Sequence, residues 1–210
     1  MKKDLTEIIF ILDRSGSMAG LEADTIGGFN AMLEKQKKEV GEAVITTVLF
    51  DHEQITLHDR ANVKTVQPMT ERDYIVRGST ALMDAIGDAI EKTEMIHKYM
   101  PDEYIPGKTL FIITTDGMEN ASRRFSSAKI KNMIETKKKG SGWEFIFMGA
   151  NIDAVKTASE YGIDEDRAVT YKSDSVGTRL NFEVISDTVS CVRASRAISS
   201  DWKDRIEKRS

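Results

Sequence analysis

Four continuous apolar runs constrain the fold of this chain more than any other feature of its sequence. They are rich in Ile, Val and Phe and occupy residues 7–12, 43–50, 109–114 and 144–148. A strand that is covered on both faces has such a continuous apolar sequence, whereas a strand with one wet face alternates apolar and polar residues. The runs therefore predict the inner strands of a parallel sheet.

Segments with helical spacing of apolar residues separate these strands, at 21–38, 82–97, 126–139 and 154–161. Such spacing predicts amphipathic helices that cover the sheet. A fifth strand at 54–58 follows the second run too closely for a parallel crossover, so it predicts an antiparallel hairpin. Residues 167–171 predict a sixth, short strand.

This order of elements predicts an α/β fold. We expect a doubly wound, Rossmann-like and mostly parallel six-stranded sheet, with one antiparallel edge strand and helices on both faces. The chain has 210 residues, 40% of them apolar, which suits a single domain over 1–210. Its core is expected over 4–171, followed by a closing helix at about 178–198. The polar tail at 199–210 is expected to fray.

Composition argues against several classes of function. The 34 acidic and 30 basic residues are mixed along the chain and give a net charge of −4, which does not favour a nucleic-acid partner. A single cysteine, Cys191, allows no internal disulfide and suits a reducing cytoplasm. No run approaches the roughly 18 apolar residues of a membrane span. We therefore expect a soluble, cytoplasmic protein with no membrane partner.

Polar residues follow the apolar runs at the positions where a doubly wound sheet binds its ligands. Asp13, Ser15 and Ser17 come directly after the first run, and their alternate spacing lets them point the same way from an extended loop. Asp116 follows the 109–114 run, and Thr80 opens a predicted helix. Hard oxygen donors favour Mg²⁺, Mn²⁺ or Ca²⁺ over zinc or copper. The sequence thus predicts one divalent metal site, with Mg²⁺ as the expected ion.

The site residues fall in three separated motifs: Asp-x-Ser-x-Ser at 13–17, Gly-Ser-Thr at 78–80 and Thr-Asp-Gly at 115–117. Together these motifs resemble the metal-ion-dependent adhesion site of von Willebrand factor type A (VWA) domains. The resemblance covers residues 4 to about 171. It implies that Ser15, Ser17 and Thr80 supply hydroxyl ligands. It also implies that Asp13 and Asp116 bind the metal directly or through water.

The resemblance further implies a mode of action, in which the metal keeps a position open for an acidic side chain of a partner protein. It suggests a compact intracellular member of bacterial or phage type, in a family whose intracellular members often act as adaptors. Six residues near the motifs are expected to form the partner-binding rim: Arg14, Met18, Arg77, Met118, Glu119 and Asn120.

Two other functions remain open from the sequence. A Mg²⁺-dependent phosphohydrolase is one, because an aspartate after a first strand also suits phosphoryl transfer. However, Ser15 stands where a second acid is expected, and no Gly-rich Lys-Ser/Thr loop is present, so we expect no enzyme and no catalytic residues. The other is a structural or oligomerisation module in which the closing helix makes the contact and the metal site does not function.

Three polar residues at helix starts are interpreted as structural rather than as ligands. Asp84 lies in the first turn of its helix, where a carboxylate interacts favourably with the helix dipole. Asn151 and Asp153 precede the 154–161 helix and are expected to cap it.

Overall fold

The computed structural model describes residues 1–209, which form one six-stranded sheet flanked by helices. The strands are β1 (Lys2–Asp13), β2 (Glu42–Phe50), β3 (Gln54–Asn62), β4 (Pro106–Thr115), β5 (Glu144–Ala150) and β6 (Ala168–Tyr171). Their order across the sheet is β3-β2-β1-β4-β5-β6. Every neighbouring pair is parallel except β2 and β3. The predicted doubly wound sheet and its antiparallel edge strand are confirmed.

Helices cover both faces of this sheet. They are α1 (Glu22–Lys38), α2 (Leu82–Tyr99), α3 (Ser127–Ser141), α4 (Ala154–Glu160), α5 (Ser175–Arg193) and α6 (Asp204–Glu207). Ile8 and Phe10 of β1 share a core with α1 and α5, whereas Ile9 and Ile11 share one with α2, α3 and α4. Side chains alternate across a strand, so β1 supplies both layers and is buried on both faces. Within residues 1–209, none of the helices is both long and apolar enough to cross a membrane.

Close contact between α1 and α5 depends on one glycine. A Cβ atom at Gly28 would lie 2.4 Å from the ring of Phe182, so the absent side chain lets α5 approach α1. The Asp174 carboxylate accepts a hydrogen bond from the Gly177 amide at 2.8 Å and caps α5. This cap starts α5 three residues before the predicted position, and the helix ends at Arg193 rather than near 198.

The prediction that the tail frays is wrong for its described residues; Ser210 lies outside them. Ile206 of α6 is only 2% exposed and belongs to the same core as α5. The Trp202 indole donates a hydrogen bond to the Asp166 carbonyl at 2.7 Å. Arg209 pairs with Asp174 at 2.9 Å. The tail therefore packs against the body of the fold through contacts that have no periodic signature in the sequence.

Candidate metal centre

The two predicted carboxylates lie side by side at the carboxyl edge of the sheet. Asp13 is the last residue of β1, and Asp116 directly follows β4. These strands are parallel neighbours, with Leu12 opposite Thr114. The chain leaves β1 and β4 in opposite directions across the sheet, so the carboxylates occupy the switch point where ligands of doubly wound folds bind.

The predicted hydroxyl groups surround the same point. The Ser15 and Ser17 oxygens are 3.1 Å apart, and the Ser17 hydroxyl donates a short hydrogen bond to Asp116. A Cβ atom at Gly117 would lie 3.2 Å from the Ser17 oxygen and 3.6 Å from the Thr80 oxygen. The glycine thus keeps open the space between two hydroxyls that come from separate loops. The structure brings together all five residues predicted as metal ligands.

Local hydrogen bonds hold Asp13 in place. One carboxylate oxygen accepts from the Ser15 amide at 2.7 Å, and the other accepts from the Thr115 hydroxyl at 2.6 Å. The Tyr74 hydroxyl donates to the main-chain carbonyl of Asp13. These contacts fix the carboxylate before any ligand binds, which lowers the entropic cost of forming a site.

Asp116 is held from the other half of the sheet. The Asn151 side-chain amide donates to the Asp116 carbonyl at 3.2 Å, so Asn151 supports the site instead of capping α4 as predicted. Asp153 does cap that helix, by accepting from the Lys156 amide at 3.0 Å. Ser173, in the loop before α5, places its hydroxyl 3.4 Å from the Asp116 carboxylate.

The electrostatics of the site leave the two carboxylates without a counter-charge. Asp13 and Asp116 are each 1% exposed, and within residues 1–209 neither has a Lys, Arg or His nitrogen within ion-pair distance. Burial raises the pKa of both carboxyl groups above the ordinary value, while hydrogen bonds from neighbouring hydroxyls oppose the rise. Buried charges in proteins are normally paired or bound to metals. A hard divalent cation fits this set of oxygen donors.

A second acidic cluster lies beside the site but does not suit a metal. Asp51, His52 and Glu53 have ligand atoms within 4.8 Å of one another. However, Asp51 Oδ2 lies 2.9 Å from Arg14 Nε and 3.1 Å from Arg77 Nε, and Glu53 lies 2.5 Å from Arg77 Nη2. Two guanidinium groups neutralise the two carboxylates, so a cation here would meet no excess negative charge.

Two predicted rim residues point inward, so their assignment to the rim is wrong. Arg14 is 2% exposed because its side chain turns toward Asp51. The two side chains form an ion pair, but the Arg14 Nε–H is not aligned for a hydrogen bond. Met18 closes the short 3₁₀ turn at Gly16–Met18 and is buried in the core beside α1. This turn and the β2–β3 hairpin, whose connection carries Asp51, set the direction of both side chains. Sequence spacing alone does not define that direction.

The other predicted rim residues divide into two kinds. Arg77 and Met118 are exposed at the edge of the site. Glu119 is partly buried, and its carboxylate accepts hydrogen bonds from the amides of Met83 and Ser122, both at 2.8 Å. The Asn120 side chain accepts from the Thr80 amide at 2.9 Å. Glu119 and Asn120 therefore shape the loop that follows Asp116.

Three residues that support the site were not predicted from the sequence to do so: Tyr74, Asn151 and Ser173. Asn151 and Ser173 follow β5 and β6, so their position at the carboxyl edge was a usable signal. Tyr74 lies in the irregular segment between β3 and α2, where no pattern indicates which side chain reaches Asp13.

Asp84 anchors the end of the loop that follows Asp116, and this contact gives a testable prediction. Its carboxylate accepts from the amides of Arg123, Arg124 and Phe125, each at 3.0 Å. Asp84→Asn should lower the free energy of unfolding by about 2 kcal/mol at pH 7, because bonds to a charged acceptor are lost. Urea denaturation measures this difference.

The effect of Asp84 should depend on pH. Partial burial raises its pKa, but the three amide bonds lower it more, so the folded-state pKa lies below the ordinary value. A lowered pKa stabilises the fold above the unfolded-state pKa of about 3.9, and this contribution is lost as the pH falls through the folded-state pKa. The gap between wild type and Asp84→Asn should therefore shrink at pH 3. An equal gap at both pH values would contradict the proposed charge effect.

Comparison with known proteins supports the fold through structure alone. Neither a family model nor a curated protein matches the sequence. The vWF domain of the pilus tip protein Mfa5 from Porphyromonas gingivalis is 12% identical with a TM-score of 0.63, over 91% of this chain and 97% of that one. A von Willebrand factor type A structure from Catenulispora acidiphila is 13% identical with a TM-score of 0.56, over 90% and 43% of the chains.

A third similar structure is proximal thread matrix protein 1 from the mussel byssus, solved with a zinc-occupied metal-ion-dependent adhesion site. It is 16% identical with a TM-score of 0.59, and the match covers 90% of this chain but 47% of that one. This chain thus spans about half the length of two of these three structures. Sheet order and site position define a doubly wound α/β domain that carries polar residues at its switch point. More particularly, the chain has the fold of a VWA domain.

Proposed function

We propose that this chain is a metal-dependent protein-binding module, in which a divalent cation held at the carboxyl edge of the sheet coordinates an acidic residue of a partner protein. The observation that carries the proposal is the pair of buried, unpaired carboxylates at Asp13 and Asp116 beside three hydroxyl groups. The mussel protein, which has a similar fold and was solved with a zinc-occupied metal-ion-dependent adhesion site, supports it.

The composition of the site favours Mg²⁺ and an anionic ligand. Five oxygen donors and no nitrogen or sulfur donor suit Mg²⁺ or Mn²⁺ better than zinc. Two carboxylates balance the charge of one divalent ion, while the three hydroxyls add none. A bound cation would supply a positive centre that attracts a carboxylate oxygen. Asp13, already fixed by two hydrogen bonds, would keep its position as a partner docks.

We propose binding rather than catalysis. His52 is the histidine beside the site's loops, and its ring already lies 3.0 Å from Asp51 in the cluster shared with two arginines. Ser15 replaces the second acid that a phosphoryl-transfer aspartate would need. Turnover of p-nitrophenyl phosphate that requires Mg²⁺ and is lost in Asp13→Asn would overturn this part of the proposal.

The oligomerisation alternative has little support from α5. Its apolar residues Phe182, Ile185 and Val189 pack inside the fold. Of the large apolar residues in α5, all of which the structure describes, only Val176 is exposed. The helix therefore lacks a free apolar stripe for a second copy. We further propose a cytoplasmic adaptor role, since the single Cys191 suits a reducing compartment.

Peptide selection tests the proposed function. A random peptide library displayed on phage is selected on the immobilised protein in MgCl₂ and, separately, in EDTA. We expect peptides that contain Asp or Glu to be enriched only with Mg²⁺. Their binding should be lost in Asp13→Asn and kept in Asp59→Asn, which removes an exposed carboxylate elsewhere. Enrichment that is equal in both arms, or that lacks acidic residues, would contradict the proposal.

A further inference from the structure

Three exposed apolar side chains lie close in the chain to residues of the metal site: Ile75 in the loop after β3, Met118 in the loop after β4, and Val176 in the first turn of α5. Ile75, Met118 and Val176 are 55%, 73% and 58% exposed. Single exposed apolar residues are ordinary on protein surfaces. These three differ because each one lies within three residues of a residue that forms or contacts the site.

Contacts made by nearby residues in the chain connect each of these side chains to the metal centre. Ile75 follows Tyr74, whose hydroxyl bonds to the Asp13 carbonyl. Met118 follows Gly117, whose Cα faces the hydroxyls of Ser17 and Thr80. Val176 comes three residues after Ser173, whose hydroxyl lies 3.4 Å from Asp116.

The loop that carries Met118 is held firmly while its side chain stays exposed. The next two residues, Glu119 and Asn120, bond to main-chain amides of Met83 and Thr80. A side chain presented from a preorganised loop loses less entropy on binding than one on a mobile loop. This geometry suits a contact with a partner better than a place in the core.

The charges around the site also favour a particular partner. The nearby acids are already paired inside the chain: Asp51 and Glu53 with Arg77, and Asp174 with Arg209. Lys172 is 64% exposed on its side chain, and its ammonium is 3.9 Å from Asp174, too far for a direct hydrogen bond. Among these residues the surface therefore offers three apolar side chains and the Lys172 ammonium, and their carboxylates are paired.

Two sizeable cavities lie elsewhere in the fold. The cavities of 440 Å³ and 740 Å³ lie between α1 and α5 and beside α3 and α4, away from Asp13 and Asp116. Small ligands generally need concave pockets, whereas protein segments bind to flatter surfaces.

We propose that Ile75, Met118 and Val176, with Lys172, form a docking face that selects an acidic residue flanked by a large aliphatic or aromatic residue. This inference rests on the proposed function, because the acidic residue would bind at the metal. The apolar neighbour would pack on the three exposed side chains. The Lys172 ammonium would favour a partner of net negative charge.

The test compares variants of the docking face on peptides selected with Mg²⁺. We expect the selected peptides to carry Leu, Ile, Met, Phe or Trp within two positions of the acid. Met118→Ser and Ile75→Ser should each weaken their binding by about tenfold, as loss of a central apolar contact does. Tyr104→Ser is the matched control, since Tyr104 is 56% exposed beside the amino end of β4 and should change affinity less than twofold.

A second measurement separates this inference from the proposed function. Met118 and Ile75 supply no metal ligand, so the rise in melting temperature with Mg²⁺ should be the same in both variants as in wild type. Acidic peptides without a preferred apolar neighbour, bound equally well by Met118→Ser, would overturn the docking face and leave the metal-dependent module intact. Failure to select any Mg²⁺-dependent peptide would overturn both.

Discussion

Ile206→Ala is expected to lower the free energy of unfolding by about 2–5 kcal/mol, the usual range for truncating a buried Ile. Ile206 is 2% exposed and packs in the core shared by α1 and α5, although it lies in an otherwise polar tail. Removing its side chain leaves a cavity that neighbouring helices can only partly fill. Urea denaturation with an unchanged m-value would measure the loss of stability.

Lys208→Ala is the matched control for this prediction. Lys208 lies two residues further along the same tail, and its side chain is 77% exposed. Surface substitutions of this kind usually change stability by less than about 0.5 kcal/mol. If Ile206→Ala were as mild as Lys208→Ala, the tail would not be docked as the structure shows.

Glu7→Ala should be comparably destabilising, by about 3–5 kcal/mol, because it breaks a buried ion pair and leaves its partners uncompensated. Glu7 is 1% exposed in β1. One carboxylate oxygen bonds to Arg60 and the other lies 2.5 Å from His97 Nε2. Chemical denaturation at neutral pH measures the effect.

An exposed acid on β3, two strands away from β1 in the sheet, gives the comparison for Glu7. Asp59 pairs with Lys92 at 2.7 Å, with side chains that are 57% and 41% exposed. Exposed pairs contribute about 0–1 kcal/mol, so Asp59→Ala should have a small effect. Equal losses of stability in Glu7→Ala and Asp59→Ala would show that the burial of Glu7 does not increase its contribution to the free energy of unfolding.

The sequence predicted the sheet well because its strands carry their own signal. Continuous apolar runs mark β1, β2, β4 and β5, and the short connection after Phe50 predicts the antiparallel hairpin. The tail could not be predicted in the same way. Ile206 and Trp202 have no periodic apolar partners nearby in sequence. Their burial depends on contacts with helices and strands that precede them in the chain.

Residues of the candidate site were predictable where strand ends determine position. Asp13 and Asp116 follow adjacent parallel strands, so their proximity comes from the topology. Rim residues were less predictable, because exposure depends on how a loop turns. Arg14 lies within the motif that contains Ser15, and Met18 directly follows it, yet both side chains point inward. Ile75 faces solvent from the loop between β3 and α2, and Val176 faces solvent from the first turn of α5, and neither exposure follows from a motif.

Thermal unfolding of metal-stripped protein during Mg²⁺ and Mn²⁺ titration is the most direct test of the central claim. Binding to the native state stabilises it by about 2.7 kcal/mol at one hundred times the dissociation constant. For a chain of this size, that corresponds to a rise in melting temperature of about 5–10 °C. We predict a midpoint that rises with the logarithm of the metal concentration for wild type and Asp59→Asn, and no rise for Asp13→Asn. An unchanged midpoint in wild type, or an equal rise in Asp13→Asn, would contradict a metal site built on these carboxylates.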